Sequence, residues 1–238
     1  GQTPTIPGVQ IADIGGGALY AAIGILIALM GVKQNGVGQY VDTSMLDGAV
    51  SWLPVLANDY FVKGVSPKAA ENILNGQNAC YEVYETADGR YISIGAIEPH
   101  LWANFCDAIG KEEFKLWQRD LTKQDEMFAC LREMFKSKTQ AEWIEKLTGV
   151  DCCWAPVKNL EEVFADPQVL ARDMVYEMTD PAGCYGSVKM IGSAVKLSET
   201  PARQELFPPR KGEHNAEYLK AVGYSDEQIA EFEKNGII

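Results

Sequence analysis

The sequence has few of the residues that metal, disulfide and nucleic-acid chemistry require. Only two histidines occur in 238 residues, and none of the six cysteines forms a C-x-x-C pair. We therefore expect neither a zinc site nor a disulfide framework, and reduced thiols favour a cytoplasmic location. Lys and Arg total 21 against 33 Asp and Glu, a formal net charge of -12. Because phosphate binding needs a clustered basic face, this balance argues against nucleic acid and anionic membrane partners.

Several nucleotide and hydrolase motifs are also absent from the sequence. It contains no P-loop, no G-x-S-x-G elbow and no H-E-x-x-H. Gly36 and Gly38 precede a β-prone run, whereas a dinucleotide fingerprint must follow a strand and open a helix. No basic segment precedes the first apolar run, so we expect no signal peptide, and the start at Gly1 indicates a processed or cut end.

A long apolar run is the first structural feature that is present. Residues 15–31 are uncharged, begin with glycines and follow Asp13. The run falls just short of the ~20 apolar residues that a bilayer requires, so it predicts a buried helix in a layered fold. Residues 39–45, QYVDTSM, predict a short strand, followed by a helix capped by one of residues 42–44. Pro54 should kink that helix or mark a first turn.

The middle of the chain alternates as a β-hairpin and then becomes helical. The turn at residues 87–89, Ala-Asp-Gly, separates two runs with strand periodicity. Pro99 suits the first position of the next helix, which should end at Gly110. Further helical patterns complete a small α+β unit over residues 79–165, and strand patterns return from residue 173.

These patterns predict an α/β fold with two lobes, one of which the chain enters twice. Residues 1–66 form part of a large lobe, and residues 67–168 form a linker and a small α+β lobe. Residues 169–238 return to the large lobe and end in two short helices. Ser225 and Gln228 have the spacing of a capping box at the last of them.

Two carboxylates stand at predicted helix starts. Asp13 precedes Gly15, Gly16 and Gly17, which would let the backbone approach a bound substrate closely while the helix start presents free N–H groups. Glu98 leaves the second hairpin strand directly before the next helix. The alternative is that both residues only serve the helices, as a cap and as a first-turn acid. Brought together by the fold, they would form an acid/base pair.

Other reactive side chains have simpler interpretations. His100 lies two residues beyond Glu98, so it would point elsewhere, and we expect a surface or packing histidine. His214 suits a helix entry more than a ligand contact. Cys152 and Cys153 are adjacent in an extended segment and cannot both face one site, and a buried thiol is the simpler expectation for either.

Four stretches together carry a family resemblance. They are IADIGGGALYAAIGILIALMGVKQNGVGQYVDTSMLDG, YEVYETADGRYISIGAIEPHLW, DCCWAPV and KGEHNAEYL. In this order they resemble the family III CoA-transferases, the carnitine dehydratase and bile-acid-inducible group. The forms DIGGG and GAIEP are most similar to its alpha-methylacyl-CoA racemase branch. LNGQNACY departs from the glycine-rich GGAP stretch that is typical of racemases.

The resemblance implies roles for the two carboxylates. Asp13 matches the racemase acid/base and the acyl-accepting nucleophile of the transferases. Glu98 matches the racemase glutamate that pairs with a histidine. In the family this histidine lies upstream of Asp13, and so do the CoA-binding nucleotide-fold strands and most of the basic phosphate contacts. This chain therefore resembles a C-terminal portion, in which Arg210 and Lys211 form the one obvious adjacent cation pair.

The resemblance also implies a reaction and an assembly. We expect racemisation of a 2-methylacyl-CoA through an enolate, with coenzyme A as part of the substrate and no separate cofactor. An interlocked homodimer would place the site between the large lobe of one chain and the small lobe of the other. The alternatives are CoA transfer through an aspartyl anhydride on Asp13, and a non-catalytic piece that needs an upstream half.

Overall fold

The computed structural model describes residues 5–202 and 206–238, which form two compact units. The first unit ends at Val157, and the second is Lys158–Ile238. Helices and antiparallel sheets occur in the described residues, and the mixed α/β class predicted from the sequence is confirmed. The division into lobes at residues 66 and 168 stays a prediction.

The first unit opens with helices. They are a π-helical segment at Ile11–Ala18, α1 at Leu19–Asn35, α2 at Met45–Ser51 and α3 at Pro54–Lys63. Ser44 caps α2, because its hydroxyl accepts the Asp47 backbone N–H at 3.0 Å. Pro54 occupies the first turn of α3, where its missing N–H costs nothing. Both features were predicted.

The burial predicted for the apolar run is wrong for the residues that the structure describes. Ala28 is the one buried residue of α1, while Leu26 and Ile27 each remain 61% exposed. A helix that is apolar on every side needs cover on every side, and the described neighbours supply little of it. Ile11–Asn35 is long and apolar enough to cross a membrane, with mean hydropathy 2.0 and 11% burial. Length and composition alone do not separate such a span from a core helix.

The short strand predicted at residues 39–45 is also wrong. Residues 37–44 have no regular structure, and Met45 already belongs to α2. A β-prone run becomes a strand only when another strand pairs with it. In the described part of the chain, no strand pairs with residues 39–45.

The rest of the first unit is the small α+β region that the periodicity predicted. A three-stranded antiparallel sheet has the order β1-β2-β3, with Tyr84 paired to Ile92 and Ile94 paired to Trp154. The predicted turn and the helix from Pro99 are confirmed. The elements are β1 Tyr81–Glu85, β2 Tyr91–Gly95, α4 Pro99–Ile109, α5 Phe114–Trp117, α6 Gln124–Lys136, α7 Gln140–Leu147 and β3 Trp154–Pro156.

An aromatic core holds this region together. Phe135 lies at its centre and packs 4.8 Å from Tyr84 and 4.5 Å from Trp143, between ring centroids. Trp102 is fully buried, and its indole N–H donates to the Phe114 carbonyl at 2.7 Å. Burying such rings contributes roughly 1.5–3 kcal/mol each. The sheet and helix α4 therefore form a rigid support for Glu98.

The second unit contains short helices and one β-hairpin. Its elements are α8 Leu160–Phe164, α9 Pro167–Ala171, β4 Val175–Thr179, β5 Ser187–Ile191, α10 Asn215–Ala221 and α11 Asp226–Lys234. The capping box predicted at α11 is confirmed. Ser225 Oγ accepts the Gln228 N–H at 3.3 Å, and the Gln228 side chain accepts the Ser225 N–H at 2.9 Å.

Candidate active site

Asp13 lies in the first turn of the π-helical segment and is exposed to solvent. Gln10 occupies the N-cap position, so the alternative that Asp13 caps this helix does not hold. Among the residues that the structure describes, the Asp13 carboxylate has no hydrogen-bond or ion-pair partner. A carboxylate near the positive end of a helix, with its oxygens uncommitted, is available to accept a proton or to attack a carbonyl carbon.

The glycines that follow Asp13 make a close contact between helices. Gly15 and Gly16 are buried in the π-helical segment, which packs on α2. A methyl group on Gly16 would lie 3.0 Å from the Ala49 nitrogen and the Met45 carbonyl oxygen. On Gly48, across the contact, it would lie 1.9 Å from the Gly16 carbonyl oxygen. The absence of side chains here therefore serves backbone packing and fixes the segment that carries Asp13.

Gly17 has a different environment from its two neighbours. It is half-buried, and a methyl group there would lie 3.0 Å from the flexible Met45 side chain. Substrate binding by Gly15, Gly16 and Gly17 remains a prediction. That prediction assumed that the three glycines form a loop before the start of the helix, but they lie inside the π-helical segment.

Glu98 is the N-cap residue of α4, and its side chain is exposed. It makes no capping hydrogen bond, and its backbone carbonyl accepts the Trp102 N–H at 3.1 Å. The strand before it is fixed on both sides, because Gly95 N–H donates to the Cys153 carbonyl and Ala96 N–H donates to the Cys80 carbonyl. The carboxylate thus projects from a rigid junction between strand and helix.

The two predicted catalytic carboxylates are not bonded to each other. In the described ranges, 5–202 and 206–238, no hydrogen bond or ion pair joins Asp13 to Glu98. Two groups that act on opposite faces of one α-carbon are separated by the substrate, so an acid/base site needs no bond between them.

The outer face of the three-stranded sheet forms an open cleft of about 560 Å³ that sequence reasoning missed. Tyr81, Ser93, Gly95 and Cys153 line it, together with the loop over residues 74–76. These residues come from three strands and a loop, and strand alternation was the only sequence signal for them. Neither predicted catalytic carboxylate lines this cleft.

The adjacent cysteines face different environments, as predicted. Cys152 is buried, and burial raises the pKa of its thiol to about 11. Cys153 is exposed and adopts a positive φ of 51°. The expectation of a buried thiol is wrong for Cys153, because the left-handed backbone at this residue turns the chain as it enters β3.

The histidines behave as predicted, and the cation pair lies in the second unit. His100 is exposed in the first turn of α4, and His214 is the N-cap residue of α10.

Arg210 Nη2 lies 3.6 Å from Asp180 Oδ2. The Asp180 carboxylate accepts backbone N–H groups from residues 182, 185 and 184. These hydrogen bonds, of which the one from Ala182 has the largest effect, hold the pKa of this carboxyl below its usual value. Arg210 thus already faces a buried anion, while Lys211 is exposed.

Comparison with known proteins decides the family. The sequence profile of CoA-transferase family III matches residues 1–215. The chain belongs to CoA-transferase family III. The family resemblance carried by the four quoted stretches is thereby confirmed.

Relatives of this family III chain have two kinds of name. An "Alpha-methylacyl-CoA racemase" of Mus musculus is 32% identical over 240 residues, covering 100% of this chain and 61% of the relative. An "Acyl-CoA transferase" of Fusarium pseudograminearum is 32% identical over 241 residues, covering 99% and 52%. The human "Succinyl-CoA:glutarate CoA-transferase" is 28% identical, covering 99% and 54%. The chain therefore spans between half and two thirds of the length of these relatives.

A solved structure agrees with the family assignment. The crystal structure of a CAIB/BAIF family protein from Brucella suis matches with a TM-score of 0.71 and 26% identity. The match covers 93% of this chain and 57% of that protein. Racemase and transferase names occur among the relatives, so family membership leaves two reactions to compare.

Proposed function

We propose that this chain is the C-terminal part of an acyl-CoA racemase that inverts the α-carbon of a 2-methylacyl-CoA thioester. The observation that carries the proposal is the exposed Asp13 carboxylate, which has no partner among the described residues. The segment that bears it is locked by backbone packing against α2. A fixed, uncommitted carboxylate is what exchange of a carbon-bound proton requires.

The proposed reaction is a proton transfer in two steps. The thioester carbonyl acidifies the α-hydrogen, and the Asp13 carboxylate removes it as a proton. The electrons of the broken C–H bond move into the carbonyl, and backbone N–H groups stabilise the resulting enolate oxygen. A proton delivered to the opposite face of the α-carbon completes the inversion.

The opposite face needs a second base, for which we propose Glu98 together with a histidine from the upstream part of the protein. We also propose an interlocked homodimer in which Asp13 and Glu98 come from different subunits, as the family resemblance implies. Coenzyme A then arrives as part of the substrate, and no separate cofactor takes part. We propose a cytoplasmic location, with α1 covered by protein instead of lipid.

CoA transfer is the second candidate, and the names of two relatives favour it. Asp13 would attack the acyl-CoA carbonyl carbon, release the CoA thiolate and hold the acyl group as a mixed anhydride. The thiolate would then attack the Asp13 carbonyl of this anhydride, which forms an Asp13–CoA thioester and releases the donor acid. The acceptor carboxylate would attack that thioester to form a second anhydride and free the thiolate, which would add to the acceptor acyl carbon, giving the new acyl-CoA and free Asp13. This route breaks the C–S bond and leaves the α-hydrogen in place.

One experiment separates the two reactions. We would incubate the full-length protein with 2-methylacyl-CoA in heavy water without any acceptor acid and follow deuterium at the α-carbon by mass spectrometry. Racemisation predicts wash-in of one deuterium. Acceptor-dependent exchange of CoA with ping-pong kinetics and without wash-in would refute racemisation.

A non-catalytic piece that needs an upstream half is the third candidate, and the exposure of α1 favours it. An intact mass of the purified protein, combined with sizing, tests this idea. A partner fragment that co-purifies and covers the rest of the relatives' length would support it. A stable lone monomer would count against a split enzyme.

A further inference from the structure

The peptide segment directly before Glu98 is held by two side chains from a distant part of the chain. Gln118 Nε2 donates to the Ala96 carbonyl at 3.0 Å and to the Ile97 carbonyl at 2.9 Å. Arg119 Nη2 donates to the same Ile97 carbonyl at 3.2 Å. Both carbonyls that precede the proposed catalytic residue are therefore fixed from outside their own strand and helix.

Gln118 is itself firmly placed. Gln118 is buried, with 6% of its surface exposed. Its backbone carbonyl accepts hydrogen bonds from Asn78 Nδ2 at 3.2 Å and from Gln124 Nε2 at 3.4 Å. A glutamine amide has two N–H donors, and both carbonyls of the Glu98 segment bond to this one nitrogen. Rotation of the amide would take this donor away from the buried Ala96 carbonyl, which is costly.

We infer that Gln118 and Arg119 are positioning residues that set the location of the Glu98 carboxylate. The inference rests on the proposed function, in which Glu98 exchanges a proton with the substrate. The Glu98 side chain has no hydrogen-bond partner among the described residues, so the position of its backbone is what limits the region that the carboxylate can reach. Catalytic groups must be held to within about 0.5 Å, and a misplacement near 1 Å can cost about 10²-fold in rate.

The test compares two buried glutamines in the full-length protein. Gln118→Met removes the donor to the Glu98 segment while keeping similar volume. Gln140→Met is the matched control, because Gln140 is 4% exposed and its Nε2 donates to the Tyr91 carbonyl at 2.7 Å and the Val157 carbonyl at 3.2 Å. Both variants lose two hydrogen bonds in the same small region, at opposite ends of β2.

We expect Gln118→Met to lower kcat for inversion of the α-carbon, which needs Glu98 on the face opposite Asp13, by about 10- to 100-fold, with KM within about threefold of wild type. Gln140→Met should lose similar thermal stability and keep wild-type kcat. In a Glu98→Gln background, Gln118→Met should cause no further loss, because Gln118 acts only through Glu98. A general structural role would instead also lower, in that background, the α-proton exchange that Asp13 carries out alone.

Arg119 gives a second test that does not disturb the core, since this side chain is exposed. Arg119→Met should lower kcat several-fold, and Arg119→Lys, which keeps a donor, should recover most of it. This pair decides the question if Gln118→Met does not fold.

The outcomes separate two failures. If wild type shows no inversion of the α-carbon, or if Glu98→Gln inverts it at the wild-type rate, the role proposed for Glu98 fails and this inference fails with it. If Glu98→Gln loses inversion but Gln118→Met or Arg119→Met keeps wild-type kcat, only the positioning inference is overturned.

Discussion

The contact between Gly48 and Gly16 supports a quantitative prediction about the placement of Asp13. A methyl group on Gly48 would lie 1.9 Å from the Gly16 carbonyl oxygen and 2.5 Å from its carbonyl carbon. Those atoms are backbone and cannot rotate away. In Gly48→Ala, α2 and the π-helical segment must therefore move apart by about 1 Å or more, a typical response to overpacking.

The size of the effect follows from two opposing terms. Alanine favours a helix interior over glycine by about 0.5–1 kcal/mol. Overpacking costs about 1–3 kcal/mol and should exceed that gain. Because Asp13 lies three residues before Gly16, a shift near 1 Å should lower the exchange rate by about 10²-fold. We therefore expect lower stability together with a large loss of rate.

The assay combines denaturant unfolding with deuterium wash-in on the full-length protein. Thr139→Ala in the small α+β region is the control, because it removes a capping box far along the chain from the Gly48 contact. It should lose about 1 kcal/mol in the free energy of unfolding and keep the wild-type rate. If Gly48→Ala kept the wild-type stability and rate, or lost stability with no more loss of rate than Thr139→Ala, the packing argument would be refuted.

Further predictions concern the small α+β region. Burial raises the Cys106 pKa from 9.0 to about 12. The unfolded thiol thus ionises first, and stability should fall above pH 9, with Cys106→Ala reducing the slope by up to about 1.4 kcal/mol per pH unit. Trp102→Phe should cost about 1–3 kcal/mol because the Phe114 carbonyl stays buried and unpaired. Thr139→Ala removes a capping box and should cost about 1 kcal/mol. Denaturant titrations check all three, and unchanged midpoints would contradict them.

Local signals predicted the elements whose causes lie within a few residues. The hairpin turn at residues 87–89, Pro99 at the start of α4 and the Ser225 capping box each depend on neighbours in sequence. Gly110 ends α4 as predicted, with a φ of 71° that suits glycine. Short-range geometry is enough to fix such features.

Features with distant partners could not be predicted in the same way. The glycines after Asp13 pack against Gly48, about thirty residues away, and no periodicity indicates that contact. Gln118 bonds to carbonyls about twenty residues earlier, so its role appears only in three dimensions. The burial of α1 depends on partners that the described residues do not supply. Their position at predicted helix starts made Asp13 and Glu98 candidates, and the family resemblance supplied their catalytic roles.

The most direct test of the central claim is α-proton exchange by Asp13→Asn in the full-length protein. Asparagine keeps the shape of the side chain and removes the proton acceptor. With the epimer of 2-methylacyl-CoA whose α-hydrogen faces Asp13, in heavy water and with no acceptor acid, we predict that wild type incorporates one deuterium at the α-carbon and that Asp13→Asn incorporates none at a measurable rate. Wild-type incorporation by Asp13→Asn would contradict the account.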